Sequence, residues 1–240
     1  MTNANLYLVG GAVRDHYRDA KSKDIDFAVE ADSFDAMRDF LNERDFEIFT
    51  EAERYFTIRA RAPKGKFQFG NFDMSNTTFD FTLTRKERDY TDGRHPDVVE
   101  MGNIYDDLSR RDFTMNAIAI DARGKTLDPF SGVDDIHYAT IRCVGGTERL
   151  VEDGLRIIRA LRFHVQLGFA FDSEVRDFMH EPEAVDALRK VSQDRVRQEL
   201  AKALKIDSMA TLELLSRYGA IGNLIFNEMG IWLEPTNAKK

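Results

Sequence analysis

The sequence predicts an α+β fold: a mixed sheet with flanking helices, followed by an all-helical C-terminal part. Two observations carry this. Short runs of β type, at residues 6–9, 25–29, 46–49, 55–60, 79–83 and 118–121, recur through the first half, with a helical period at 33–41 between them. Beyond about residue 150 the chain reads as helix throughout, at 153–166, 174–179, 194–204 and 208–217. The expected boundaries are 1–139 for the sheet part, 140–205 for a first helical unit and 206–240 for a short helical extension.

Each early element has a local reason. Leu6-Tyr7-Leu8-Val9 is apolar and short, then Gly10-Gly11 breaks it, and Ala12-Val13-Arg14-Asp15-His16-Tyr17 reads as helix. Strand, paired glycine and helix make an arrangement that can cradle phosphate, because glycine lets a ligand approach the backbone and a helix start offers free N–H groups. An ordinary tight turn is the other reading. Arg14 adds a positive charge there. Ser33 is placed to cap the next helix, with Phe34, Met37, Phe40 and Leu41 at helical spacing.

The stretch Lys23-Asp24-Ile25-Asp26-Phe27-Ala28-Val29-Glu30 organises the rest. Read as a strand, it projects Asp24 and Asp26 on one face and Ile25, Phe27 and Val29 on the other. Paired carboxylates in such a strand call for a divalent cation held by hard oxygens, or for a solvated edge. Asp80, inside Phe79-Asp80-Phe81-Thr82-Leu83, is a candidate third carboxylate, with a solvated strand face as its alternative. Residues 85–103 are polar and loop-like, a lid or a connector. Arg110-Arg111-Asp112-Phe113-Thr114-Met115-Asn116-Ala117 is dense in hydrogen-bonding groups; guanidiniums suit phosphate, while Asp and Asn suit sugar hydroxyls.

Composition narrows the class. With 42% hydrophobic and 32% charged residues in 240, the chain reads as a globular protein. No apolar run approaches the roughly 20 residues that span a membrane. The N-terminus lacks a leader pattern, and the single cysteine, Cys143, permits no internal disulfide; together they lead us to expect a cytoplasmic protein. A net charge of −8 excludes a generally basic nucleic-acid coat. Residues 142–205, with twelve basic and eleven acidic side chains, are the exception to that acidity.

Gly10-Gly11-Ala12-Val13-Arg14-Asp15, Asp24-Ile25-Asp26, the 110–117 stretch and Asp128-Pro129-Phe130-Ser131-Gly132 occur in that order. They are followed by Glu152-Asp153-Gly154-Leu155-Arg156 within 152–163, and by Ser192-Gln193-Asp194-Arg195 at a helix start. Six motifs with these gaps, from about residue 6 to 204, resemble the class II tRNA nucleotidyltransferase and bacterial poly(A) polymerase family of the DNA polymerase β superfamily. The resemblance implies a polymerase β-like nucleotidyltransferase head and a helical neck. It implies addition of C, A or both to the 3′ end of tRNA from CTP and ATP, with an A-adding enzyme or poly(A) polymerase as the alternative and an inactive RNA-binding remnant as the distant one.

The resemblance also implies roles. Asp24 and Asp26, with Asp80, would hold two Mg2+ ions. Gly10, Gly11 and Arg14 would take the triphosphate, and Arg111, Asp112 and Asn116 the ribose and phosphates. Asp153 and Arg156 would read the base. Cytosine and adenine each present an amino donor beside a ring acceptor, which a carboxylate beside a guanidinium matches, whereas guanine and uracil present the reverse. Arg159 would extend the basic side of that helix and Arg195 would brace the reader. Asp92-Gly93-Arg94 matches a loop associated in the family with A addition. The sequence departs from the family at Gly154, where proline is common, and relatives continue into body and tail domains beyond the neck. A form ending at Lys240 is expected to dimerise, to use less protein on its RNA, or to take a smaller one.

Overall fold

The structure, a computed structural model, describes residues 3–22, 24–65, 67–88 and 98–231, with the side chains of 87 and 88 outside that description. It divides into two compact units that meet at residues 145 and 146.

The first unit runs β1 (Asn5–Val9), α1 (Gly11–His16), β2 (Asp26–Glu30), α2 (Phe34–Asn42), β3 (Glu47–Ala52), β4 (Thr57–Arg61), β5 (Gln68–Phe69), β6 (Phe72–Asp73), β7 (Thr78–Leu83), β8 (Arg85–Arg88), β9 (Val98–Met101), α3 (Ile104–Ser109), β10 (Ala119–Asp121), β11 (Thr126–Leu127), α4 (Gly132–His137) and β12 (Thr140–Ile141). Seven of these strands form one sheet in the order β11-β10-β1-β2-β7-β4-β3. It is mixed: β2 lies parallel to β7, while β1 with β2, β4 with β7 and β3 with β4 are antiparallel.

The pattern of side chains explains the layers. In β7, Phe79, Phe81 and Leu83 are buried while Thr78, Asp80 and Thr82 alternate with them on the more open face. Phe27 of β2 stacks on Phe81 with ring centroids 5.3 Å apart and meets Phe69 and Phe79 edge-on. Phe34, Met37, Phe40 and Leu41 of α2 are all buried, and Ser33 Oγ caps that helix by accepting from the Ala36 N–H at 3.0 Å.

The second unit holds α5 (Glu148–Glu152), α6 (Leu155–Leu167), β13 (Ala170–Phe171), α7 (Ser173–Phe178), α8 (Pro182–Arg189), α9 (Gln193–Ile206), α10 (Ser208–Arg217) and α11 (Gly219–Asn223). Helices α6 and α9 pack along each other, joined by Arg162 Nε donating to Glu199 Oε2 at 2.7 Å. No helix among the described residues is long and apolar enough to cross a membrane.

Three expectations need correction. The acidic strand begins at Asp26, so Asp24 precedes it instead of sharing its pleat. Residues 85–88 and 98–101, expected as loop, pair as an antiparallel ladder, while Asp92-Gly93-Arg94 lies outside the described residues. The helix expected over 153–166 begins only at Leu155: Asp153, with φ −140° and ψ 100°, is extended and separates it from a short preceding helix, α5.

That break has a packing cause. A Cβ on Gly154 would stand 2.2 Å from the Ala187 carbonyl oxygen, so the start of α6 lies directly on the backbone of α8. Glycine is required here by proximity. Gly154→Ala is expected to push the helices apart and cost about 1–3 kcal/mol, lowering Tm by several degrees. A thermal melt of the variant checks this.

Candidate active site

Both sides of Asp26 are set by sheet register. Asp26 lies opposite Val9 on β1 and opposite Asp80 on β7. One strand further, Arg59 of β4 is the register partner of Asp80, and its Nη1 stands 3.7 Å from Asp80 Oδ2. A row Asp26, Asp80, Arg59 therefore crosses three adjacent strands.

The chain leaves β1 through Gly10, whose φ of +71° and ψ of −137° are open to glycine and strained for other residues. A Cβ at Gly10 would lie 3.3 Å from Arg111 Nη1 and 3.8 Å from Asp26 Oδ2. The paired-glycine turn, Asp26 and Arg111 thus converge at one end of β1 and β2.

Asp26 reports the electrostatics of this place. Its pKa is raised, first by desolvation, then by the neighbouring charge of Asp80; Arg111 pulls it down, Asp24 adds to the rise and Arg59 lowers it again. Three carboxylates repel one another with two guanidiniums offsetting them in part. Hard oxygens with surplus negative charge are the donor set that suits Mg2+. No cluster of three or more His, Cys, Asp or Glu side chains that could hold a metal ion by itself occurs among the described residues.

The remaining expected ligands of the first unit are arranged differently from the sequence reading. Arg14 is only 5% exposed; it donates to Asp15 Oδ1 from Nε and Nη2, at 3.0 and 2.9 Å, and to Asn116 Oδ1 from Nη1 at 3.0 Å. Asn116 Nδ2 donates to Asp112 Oδ1 at 3.1 Å, and that oxygen also accepts from the Phe113 N–H at 2.8 Å. Arg14, Asp112 and Asn116 are therefore a buried brace joining α1 to the 112–116 turn, because each buried polar group must find a partner inside the protein. Gly11 sits on that brace, 3.5 Å from Arg14 Nη2 measured from a notional Cβ. From the arginine–aspartate–asparagine cluster, Arg111 acts on Asp26 and lies beside Gly10.

Sequence reasoning missed what holds Arg111. Asp107, almost fully buried in α3, accepts from Arg111 Nη2 at 2.9 Å and from Nε at 3.3 Å through Oδ2, while Arg110 binds Oδ1. The spacing of Asp107 from Arg110 and Arg111, three and four residues, was the available signal. Arg59 gave none, since only the β4–β7 register brings it to Asp80.

In the second unit, Asp153 and Arg156 do not pair with each other as an i, i+3 helical couple. Asp153 Oδ2 accepts from Arg195 Nη2 at 2.9 Å and its Oδ1 from Nη1 at 3.3 Å, a forked contact from α9. Arg156 Nη1 donates to the Arg149 carbonyl at 2.9 Å and to Glu152 Oε2 at 3.2 Å. The carboxylate and the guanidinium thus have separate anchors. Arg159 lies over the Phe163 ring at 5.4 Å.

Residues 6–142 match the poly A polymerase head domain. The chain belongs to that family. A CCA-adding enzyme of Geobacillus sp. is 37% identical over 201 residues, 83% of this chain and 45% of the relative. One of Bacillus subtilis is 35% identical over 201 residues, 83% of this chain and 46% of the relative. Among solved structures, the Bacillus stearothermophilus CCA-adding enzyme in complex with CTP superposes with a TM-score of 0.72 at 29% identity, covering 91% of this chain and 49% of that one. A Thermotoga maritima CCA-adding enzyme complexed with tRNA gives 0.71 at 25% identity, covering 97% and 50%. This chain spans about half the length of the curated relatives it matches.

Proposed function

We propose that this member of the poly A polymerase head domain family is a template-independent RNA nucleotidyltransferase that adds C and A to the 3′ end of tRNA. The observation that carries the reading is the in-register pair Asp26 and Asp80, set beside Gly10 and Arg111 on the family's fold. The likeness to an enzyme described with CTP and another described with tRNA supports the choice of substrates.

In this reading a 3′-hydroxyl attacks the α-phosphorus of a nucleoside triphosphate and pyrophosphate leaves. Asp26 and Asp80, with Asp24, would hold two Mg2+ ions, which would supply acidity to the hydroxyl and charge neutralisation to the phosphates. Gly10 and Gly11 give the triphosphate close approach to the backbone. Arg111, held in place by Asp107, takes charge that develops on the phosphates. Arg14, Asp112 and Asn116 keep that turn rigid. Asp153 and Arg156 face the base as acceptor and donor, with Arg195 and Glu152 fixing their geometry and Arg159 completing the basic side of α6. The work of the protein is alignment and charge stabilisation. We assign no dimer; whether two copies of this chain associate is a matter for sedimentation.

The test is incubation of the protein with Mg2+, a tRNA lacking its last three nucleotides, and each labelled triphosphate. C followed by A is the expected product, with GTP and UTP rejected. A alone or long A tails would reassign the protein as an A-adding enzyme or poly(A) polymerase. No incorporation, with binding retained, would make it an RNA-binding remnant.

A further inference from the structure

The carboxylate row does not end at Asp80. Arg59 and Arg61 are two apart on β4, so they share the sheet face on which Arg59 meets Asp80. Both are open to solvent, their side chains 58% and 43% exposed. β3 forms the edge of the sheet, and its register slips between Ile48 and Thr50, leaving Phe49 at the irregularity. Phe49 is 45% exposed, an unusual place for a large ring, and the Arg61 guanidinium lies 4.9 Å from its centroid. The partners of these arginines hold them loosely: Glu47 at 3.4 Å from Arg61 and Asp80 at 3.7 Å from Arg59, exposed pairs of little worth that can be exchanged for phosphate. Guanidiniums beside an open aromatic ring are what an unpaired nucleic-acid strand uses, phosphate on the first and base on the second.

We propose that the open face of β3 and β4, made by Arg59, Arg61 and Phe49, is the platform on which the single-stranded 3′ end of the RNA lies as it enters the carboxylate site. The inference rests on the nucleotidyl-transfer reading: the hydroxyl must arrive at Asp26 and Asp80, and this surface is continuous with them through the register of β7 and β4. The acidic balance of the whole chain does not oppose it, since the contact is local.

The double variant Arg61→Ala/Phe49→Ala leaves every carboxylate of the row and Arg59 in place. With a 5′-fluorescein tRNA transcript lacking only its last nucleotide, so that most of the unpaired 3′ end is present, in chelator and without nucleotide, its Kd is expected to rise about tenfold. The slope of log K against log salt should fall by about one for the lost arginine, a change that loosened packing alone does not produce. KM for CTP should stay within about twofold of wild type, as no triphosphate contact is removed. Should the double variant melt early, Arg61→Gln, which keeps the ring, carries the salt-slope test. An unchanged Kd and slope in a wild-type background that incorporates nucleotide overturns the platform, as does a wild-type protein that fails to bind the transcript. Loss of RNA binding in the variant, with a wild type that binds but never extends, leaves the platform standing and overturns the transferase reading instead.

Discussion

Replacing Asp26 by Ala is expected to abolish nucleotide incorporation, with a fall in kcat on the order of 10³ or more, because a displaced divalent ion removes several kcal/mol of charge stabilisation. Far-UV circular dichroism should be unchanged. The amide variant adds a second, independent readout. Asp26 is exposed at the start of its strand, yet desolvation by its surroundings and the charges of Asp80 and Asp24 raise its pKa despite the opposing arginines. A carboxyl held above its usual range favours the fold only while protonated, at pH below its ordinary value, and that contribution disappears as pH rises through the raised value. At neutral pH the ionised group therefore works against folding. Asp26→Asn, melted in chelator at pH 7, is expected to be at least as stable as wild type while remaining inactive. An active Asp26→Asn protein would remove Asp26 from the chemistry.

The largest stability effect is expected at Asp107. Its carboxylate is buried, which alone would raise its pKa, but Arg111 and Arg110 bring it below the usual value. Asp107→Ala leaves two largely buried guanidiniums without their shared partner. We expect a loss of about 3 kcal/mol, the lower end for breaking a buried pair because both arginines keep some solvent contact. The pH dependence has a definite sign. A lowered pKa contributes stability that is present above the ordinary carboxylate value, about 3.9, and is lost as pH falls through the lowered one. Urea titrations of wild type and variant should differ most at pH 7 and converge in acid. Because Asp107 also aims Arg111, any variant protein that remains folded should show a raised KM for the triphosphate.

Much of this was legible in the sequence for a physical reason. Alternation in Phe79-Asp80-Phe81 and the near-continuous burial of Phe27-Ala28-Val29 follow from strand geometry, so a strand with an acidic outer face could be read directly. The Gly10-Gly11 turn could be read because a positive φ calls for glycine. What could not be read were relations across the chain. Periodicity over the expected 153–166 helix gives no hint that Gly154 rests on the Ala187 carbonyl, so the extended Asp153 and the start at Leu155 become visible only in the fold. Arg14 and Asn116 have types that suit phosphate and sugar; only the fold reveals that the two side chains, 102 positions apart, are hydrogen-bonded to each other. Arg59 has no neighbour in sequence that marks it, and acquires meaning solely from the pairing of β4 with β7.

The separate tethering of Asp153 and Arg156 constrains how such a protein can change. Exchanging Asp153 for a neutral residue strands the Arg195 cation on α9, and exchanging Arg156 releases Glu152 on α5. The two cases differ: loss of Asp153 takes the forked partner from Arg195, whereas Glu152 keeps its ion pair with Arg149 when Arg156 is lost. In the proposed base-reading role, a change at Asp153 must therefore arrive together with one at Arg195, and an engineer who edits the first without the second inherits the imbalance.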